Sequence, residues 1–424
     1  MTKLLILADD FTGALDTGIQ FKKRGISTCV MNLNNSSSIK DSCCEEVLVV
    51  NTNTRALSKN KAYQIIKEIV AEAKVLSIPW ILKKTDSALR GNIGAELAAV
   101  MDAIPELPLY FIPALPEMNR ITKEGIHYID GELLENSEFS KDPFEPVTKS
   151  YVPDIIHEQT DKNVKLLPIE QTFTEEQKKE SNLYIFDAVT KEDIKNRLEE
   201  LFQLENKYLF AGCSGIAEFL AEILPFEKKE ENNWLKTKNF LIISGSLNEI
   251  TKKQIEFAEA QSYFSRIDFP IESINDKDYF VSENFNQLLN LIKQEFQNDK
   301  VVIIDTFSLS KQEGYSKIEK THKEKLRTKI PLIIGKTVKQ ILSEQSSLSV
   351  LLTGGETLKG LLDIVNESEI FLVSEIEPGV VVSKLKNLEV GQQILSKSGG
   401  FGTENLFQIL AKKIGSDNIE TDNR

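Results

Sequence analysis

The sequence predicts an α/β protein of two domains, each a mainly parallel sheet flanked by helices, with a cleft between them. Three observations lead there. The chain has 424 residues, and single cores seldom grow past roughly 250 to 300. Short β-rich apolar runs alternate with longer stretches of helical period. That alternation stops once, over Leu224 to Asn239, where charge and asparagine replace apolar periodicity. The predicted domains are therefore residues 1–228 and 238–424.

In the first half, strands are expected at Lys3 to Ala8, Glu46 to Val50, Trp80 to Lys83, Tyr110 to Pro113, Tyr184 to Asp187 and Tyr208 to Ala211. Helices fill the intervals. In "SKNKAYQIIKEIVAEAKVL", Ala62, Ile65, Ile66, Ile69 and Val70 form one stripe, with Ser58 as N-cap. The second half repeats the scheme, with strands at Phe240 to Ile243, Val301 to Ile304, Leu348 to Leu352 and Ile394 to Ser396.

Composition narrows the function. A formal net charge of −13 argues against nucleic acid, whose partners need an excess of lysine and arginine. The apolar run in "MTKLLILADD" is too short for a signal-peptide core, and no stretch approaches the roughly 20 apolar residues of a membrane span. A cytoplasmic protein is expected. Cys29, Cys43, Cys44 and Cys213 show no metal-ligand spacing and read as reduced thiols. His127, His157 and His322 form no cluster, which argues against zinc.

The expected strands of the first half end in polar loops: "ADDFTG", "NTNTR" (Asn51 to Arg55), "KKTDSALRG" and "PALPEMNR" (Pro113 to Arg120). In open α/β sheets, ligands bind beyond the carboxyl ends of the strands, so four such loops in succession predict one site. Asp9 and Asp10 are adjacent, unlike the D-x-D of haloacid-dehalogenase phosphatases, so only one can face a pocket directly. Asp10 or Thr12 could equally cap the helix that follows. Lys83, Lys84, Ser87 and Arg90 supply donors for an anion, and Asp86 a carboxylate that could accept a proton. The bland alternative is a solvated charge run.

The second half ends its strands in glycine and hydroxyl residues: "ISGSLNEIT", "LTGGETLKG" and "KSGGFGTENLF". Glycines at a strand-to-helix turn let backbone N–H groups approach phosphates. One pair would suit any tight turn; three loops point to a nucleotide site. "IGKT" (Ile334 to Thr337) imitates a Walker A ending, but Ile330 stands where that motif demands glycine. No G-x-G-x-x-G follows the first strand.

These motifs, with "PALPEMNRITKEGIHYIDGELLENSEFSKDP" between them, occur in the order found in the four-carbon acid sugar kinases, which the chain resembles along nearly its whole length. The resemblance implies ATP-dependent phosphorylation, with Mg2+, of an acid such as threonate, erythronate or 3-oxo-tetronate. It implies a sugar-acid-binding N-terminal domain and a nucleotide-binding C-terminal one. Nucleotide contacts then fall on Ser246, Gly354, Gly355, Glu356, Thr357 and Gly399. The acid side draws on Asp10, Asp86 and Arg90, with Asp9, Lys83, Lys84, Ser87 and Arg120 around them. Asn119, Ser137 and Asn248 depart from the family pattern, the first two on the substrate side.

The expected mechanism is in-line attack of an acid hydroxyl on the γ-phosphate. Arg90 would clamp the carboxylate, and Asp86, or second Asp10, would take or orient the hydroxyl; either could instead hold magnesium, whose ligands stay unassigned. Domain closure would exclude water. The number of subunits is left open, a homo-oligomer included. The rival readings are an unusual NAD-dependent dehydrogenase, against which the missing fingerprint counts, and a non-catalytic sugar-acid sensor, which would tolerate loss of the glycine loops.

Overall fold

The structure, a computed structural model, describes residues 1–33, 38–41, 45–142, 145–204, 208–228, 234–246, 248–270, 272–276, 278–307 and 320–415. Cys43 and Cys44 lie outside them. The chain divides into two compact units, Met1–Glu230 and Glu231–Arg424.

The first unit carries strands β1 (Leu4–Ala8), β2 (Thr28–Asn32), β3 (Val47–Asn51), β4 (Trp80–Lys84), β5 (Leu109–Ile112), β6 (Arg120–Lys123), β7 (Ile126–Ile129), β8 (Glu132–Leu133), β9 (Val164–Leu167), β10 (Leu183–Phe186) and β11 (Tyr208–Gly212). Its helices are α1 (Phe11–Lys22), α2 (Lys59–Val75), α3 (Ile93–Ala103), α4 (Val152–His157), α5 (Lys191–Leu204) and α6 (Ser214–Ile223). The main sheet runs β2-β3-β1-β4-β11-β5-β10-β9, and every pairing in it is parallel. Helices cover both faces of such a sheet, so its strands read as unbroken apolar runs; all of Leu4–Ala8 is buried. The antiparallel β6-β7-β8 sheet is separate.

Order reverses at β1, which lies between β3 and β4. Register aligns the strand ends there, Ala8 opposite both Asn51 and Lys84, and Lys84 opposite Gly212. The loops starting at Asp9, Thr52 and Thr85 therefore emerge together at a topological switch point, where this class of sheet opens a crevice.

The second unit holds β12 (Asn239–Ser244), β13 (Phe264–Asp268), β14 (Val301–Asp305), β15 (Leu348–Thr353), β16 (Glu369–Glu377), β17 (Val380–Leu385) and β18 (Gln392–Lys397). Among them lie α7 (Glu249–Glu259), α8 (Glu272–Asn275), α9 (Glu283–Gln297), α10 (Lys320–Glu344), α11 (Gly355–Val365) and α12 (Leu406–Ile414). Five strands, β13-β14-β12-β15-β18, are parallel. β17 is antiparallel to both β18 and β16; β16 and β17 are absent from the sequence expectations. Thr353 stands opposite both Ser244 and Lys397, so the three glycine loops leave the sheet side by side.

"IGKT" lies inside α10. Gly335 serves packing there: a Cβ on it would come 2.4 Å from the Gly360 carbonyl of α11. Among the described residues no helix is long and apolar enough to cross a membrane.

Candidate functional site

In the first unit, Arg55 organises the strand-end loops. Its Nε and Nη2 donate to Asp9 at 2.7 and 3.0 Å, its Nη1 to Asp10 Oδ2 at 2.8 Å, and its Nη2 lies 3.3 Å from Asp86 Oδ1. Arg90 grips Asp86 with Nε at 2.9 Å and Nη2 at 3.1 Å, while its Nη1 donates to Asp142 at 2.9 Å. Asp86 also accepts from the Ala88 amide at 3.2 Å, which shapes its loop. Burial pushes the Asp86 carboxyl up, but Arg55 and Arg90 outweigh it and hold the group far below the usual carboxylate range. Asp9 is lowered in the same way, burial being outweighed by Arg55 with help from Lys83 and Lys84.

Asp10 differs. It is the N-cap of α1, accepting from the Gly13 amide at 2.8 Å. Its side chain is 33% exposed, against 2% for Asp9 and 8% for Asp86. The adjacent carboxylates thus meet different surroundings, as opposite directions along an extended chain require.

Lys83 and Lys84 part similarly. Lys83, expected among the cations for an anion, is instead fully buried against Glu96 of α3, Nζ to Oε2 2.8 Å, and also donates to the Leu7 and Lys84 carbonyls. Successive strand residues face opposite sides of a sheet, and this one faces the core. Both Asp9 oxygens are likewise taken up, by Arg55. Glu96 is raised by burial despite Lys83 and accepts from Thr54 Oγ1.

Lys84 approaches α1: a Cβ on Gly13 would lie 2.6 Å from both its Nζ and Asp10 Oδ1. Only 6% exposed, its ammonium makes no hydrogen bond or ion pair among the described residues. Nearby, Arg120 donates to Ser87 Oγ, yet its buried Nε has no partner, nor has Thr85 Oγ1. Buried polar groups are normally satisfied, so these unspent donors suit an anionic, hydroxylated ligand. The β6–β7 hairpin is tied to the same loop. His127 Nε2 lies 3.0 Å from the Ser87 carbonyl, which can only accept, so Nε2 carries the proton and Nδ1 faces Thr122 Oγ1 at 3.0 Å. Burial lowers this imidazole to about 4. The guanidinium groups of Arg90 and Arg120 both lie over the Phe139 ring, at 5.0 and 5.1 Å.

In the second unit, the glycine loops press together. A Cβ on Gly399 would come 2.3 Å from Ser246 Oγ, and one on Gly245 would come 2.3 Å from Thr357 Oγ1. Gly354 (φ +101°) is the N-cap of α11, with the Ser246 amide 4.0 Å from its would-be Cβ. Gly355 and the exposed Glu356 open that helix, and Thr357 turns inward to donate to the Thr353 carbonyl at 3.1 Å. The hydroxyls of Ser244 and Thr353, at the strand ends beneath, have no partner. Small residues, free amides and a helix start are what a phosphate needs.

Comparison with known proteins agrees with this division. Residues 4–220 match the family model of a sugar-binding N-terminal domain and residues 241–407 that of a nucleotide-binding C-terminal domain. The chain belongs to the four-carbon acid sugar kinase family. A D-threonate kinase of Salmonella typhimurium is 24% identical over 95% of this chain and 96% of its own. A 3-oxo-tetronate kinase of Haemophilus influenzae is 22% identical over 95% and 98%, and a D-erythronate kinase of Heliobacterium modesticaldum 25% over 61% of each. Crystal structures of a Salmonella typhimurium protein and a Haemophilus influenzae protein share the fold, with TM-scores of 0.80 and 0.75 at 20% identity. They cover 98% and 96% of this chain, and 100% and 98% of their own.

Of the expected site residues, Asp10, Lys84, Asp86, Ser87, Arg90 and Arg120 gather in the first unit, and Ser246, Gly354, Gly355, Thr357 and Gly399 in the second. Arg55, Glu96, Asp142 and His127 were not singled out. Arg55 sat in the quoted "NTNTR" loop, and Glu96 could have been found as the one acid within the otherwise apolar "IGAELAAVM".

Proposed function

We propose that this kinase transfers the γ-phosphoryl group of ATP to a hydroxyl of a four-carbon sugar acid such as threonate, erythronate or 3-oxo-tetronate. The acid is bound by residues 1–228 and the nucleotide by residues 238–424. What carries the reading is Lys84, only 6% exposed and beside Asp10, whose ammonium has no hydrogen bond or ion pair among the described residues, in a chain whose other unit gathers three glycine loops.

Lys84 and Arg120 take the acid's carboxylate. Arg90, already held by Asp86 and Asp142, braces the site more than it clamps the ligand. Asp10, the most exposed carboxylate bonded to Arg55, receives the hydroxyl. Asp86 is a poor proton acceptor because two guanidinium groups stabilise its charged form. Phosphoryl transfer of this kind rests on positioning and charge more than on a strong base, so an orienting carboxylate suffices. Among the described residues no three metal-ligating side chains cluster. Magnesium prefers phosphate oxygens, waters and one or two carboxylates, and Asp10 or Glu356 would supply the carboxylate; bound, it would screen the phosphate charge.

A screen of four-carbon aldonic and oxo-acids with Mg-ATP, read by coupled ADP release, tests the proposal. One or more acids should raise ADP release well above the acid-free rate. No response to any acid, from protein that binds ADP, would count against it.

A further inference from the structure

We propose that Lys397 is a positioning residue for the bound nucleotide, holding the "KSGGFG" loop so that two consecutive backbone amides face a phosphate; this rests on the reading of the second unit as the nucleotide site. Lys397 ends β18 and is 2% exposed. Its side chain folds beneath its own loop, Nζ donating to the Ser398 carbonyl at 2.9 Å, the Gly399 carbonyl at 3.2 Å and Thr251 Oγ1 at 3.3 Å. Thr251 of α7 in turn donates to the Gly399 carbonyl at 2.7 Å.

Peptide planarity gives these bonds a consequence on the other side of the chain. In a trans peptide, C=O and the following N–H point in opposite directions. With the carbonyls of Ser398 and Gly399 drawn inward, the amides of Gly399 and Gly400 are turned away from Lys397. Neither amide has a hydrogen-bond partner among the described residues. Successive outward amides form an anion-binding concavity. Gly399 also abuts Ser246 Oγ and leaves no room for a side chain.

The residue type supports the assignment. No carboxylate pairs with Lys397 among the described residues, and burial draws its ammonium down to about 7. Packing alone would be served better by methionine, which fills similar space without a charge to desolvate. A lysine here spends its charge on the loop.

The test is calorimetric titration of full-length wild type and Lys397→Met with ADP, alongside thermal melting. The variant is expected to bind ADP about tenfold more weakly, having lost a charge-assisted bond network, with a melting midpoint equal to or above wild type. A lowered midpoint with wild-type affinity would mark a purely structural role and overturn the proposal, as would wild-type behaviour in both. Should Lys397→Met not fold, two measurements decide instead. Thr251→Val should weaken ADP about threefold, and the Gly399 and Gly400 amides of the wild type should exchange more slowly when ADP is added. Unchanged affinity with unchanged exchange would overturn it. Failure of the wild type itself to bind ADP would instead remove the nucleotide reading beneath.

Discussion

Asp86 and Asp10 share Arg55 but differ in what bonding capacity each has left. Asp86 is enclosed by Arg55, Arg90 and its own loop amides; Asp10 keeps a third of its side chain exposed. Asp10→Asn should therefore lower kcat by about a hundredfold or more while leaving ADP affinity unchanged. Asp86→Asn should also raise KM for the acid, because it loosens Arg90 and Arg55, leaving them to Asp142, Asp9 and Asp10. Equal KM in the two variants, measured by ADP release, would refute that division. Lys84 offers a second contrast. Its ammonium makes no hydrogen bond or ion pair among the described residues, so Lys84→Met should change the melting midpoint little yet raise KM for the acid about tenfold. A variant with unchanged KM would remove Lys84 from the acid site.

At the scale of elements, the β6–β7 hairpin and the glycine loop each make a claim. His127 is drawn by burial from 6.5 to about 4 and stays neutral between Thr122 and Ser87. The folded value lies below the unfolded one, so its contribution to stability is complete above about pH 6.5 and is lost as pH falls toward 4. The full loss is about 3 kcal/mol. Denaturant unfolding across that window should show a slope that His127→Gln reduces; identical slopes would contradict it. Gly399→Ala places a methyl 2.3 Å from Ser246 Oγ and should weaken ADP binding without weakening acid binding. Elements also show where the sequence was legible. Parallel strands buried on both faces, such as Leu4–Ala8 and Val301–Asp305, announced themselves as apolar runs, with ends displaced by a residue or so. "TCVMN" of β2 and "FSRID" of β13 did not, because polar residues interrupt them; Arg266 in β13 is paired to Asp305 of β14, a partner visible only in three dimensions. The antiparallel β16 and β17 go unread in the sequence although each holds an apolar run, "IFLV" in one and "VVV" in the other.

For the whole molecule, loop chemistry was readable in advance: charge after the strands of one unit, glycine and hydroxyl after those of the other. Pairing within the site was not. Whether Arg90 stands free or is held depends on Asp142, 52 residues away, and whether Lys83 reaches a ligand depends on which face of β4 it takes. The central claim is that these two sets of loops serve one transfer. Its most direct test is 31P NMR of the full-length protein with Mg-ATP and, in turn, D-threonate, D-erythronate and a 3-oxo-tetronate. The account expects a new phosphomonoester resonance growing in step with ADP for at least one acid. Loss of the γ-phosphate only as inorganic phosphate, or no turnover with any of them, would contradict it.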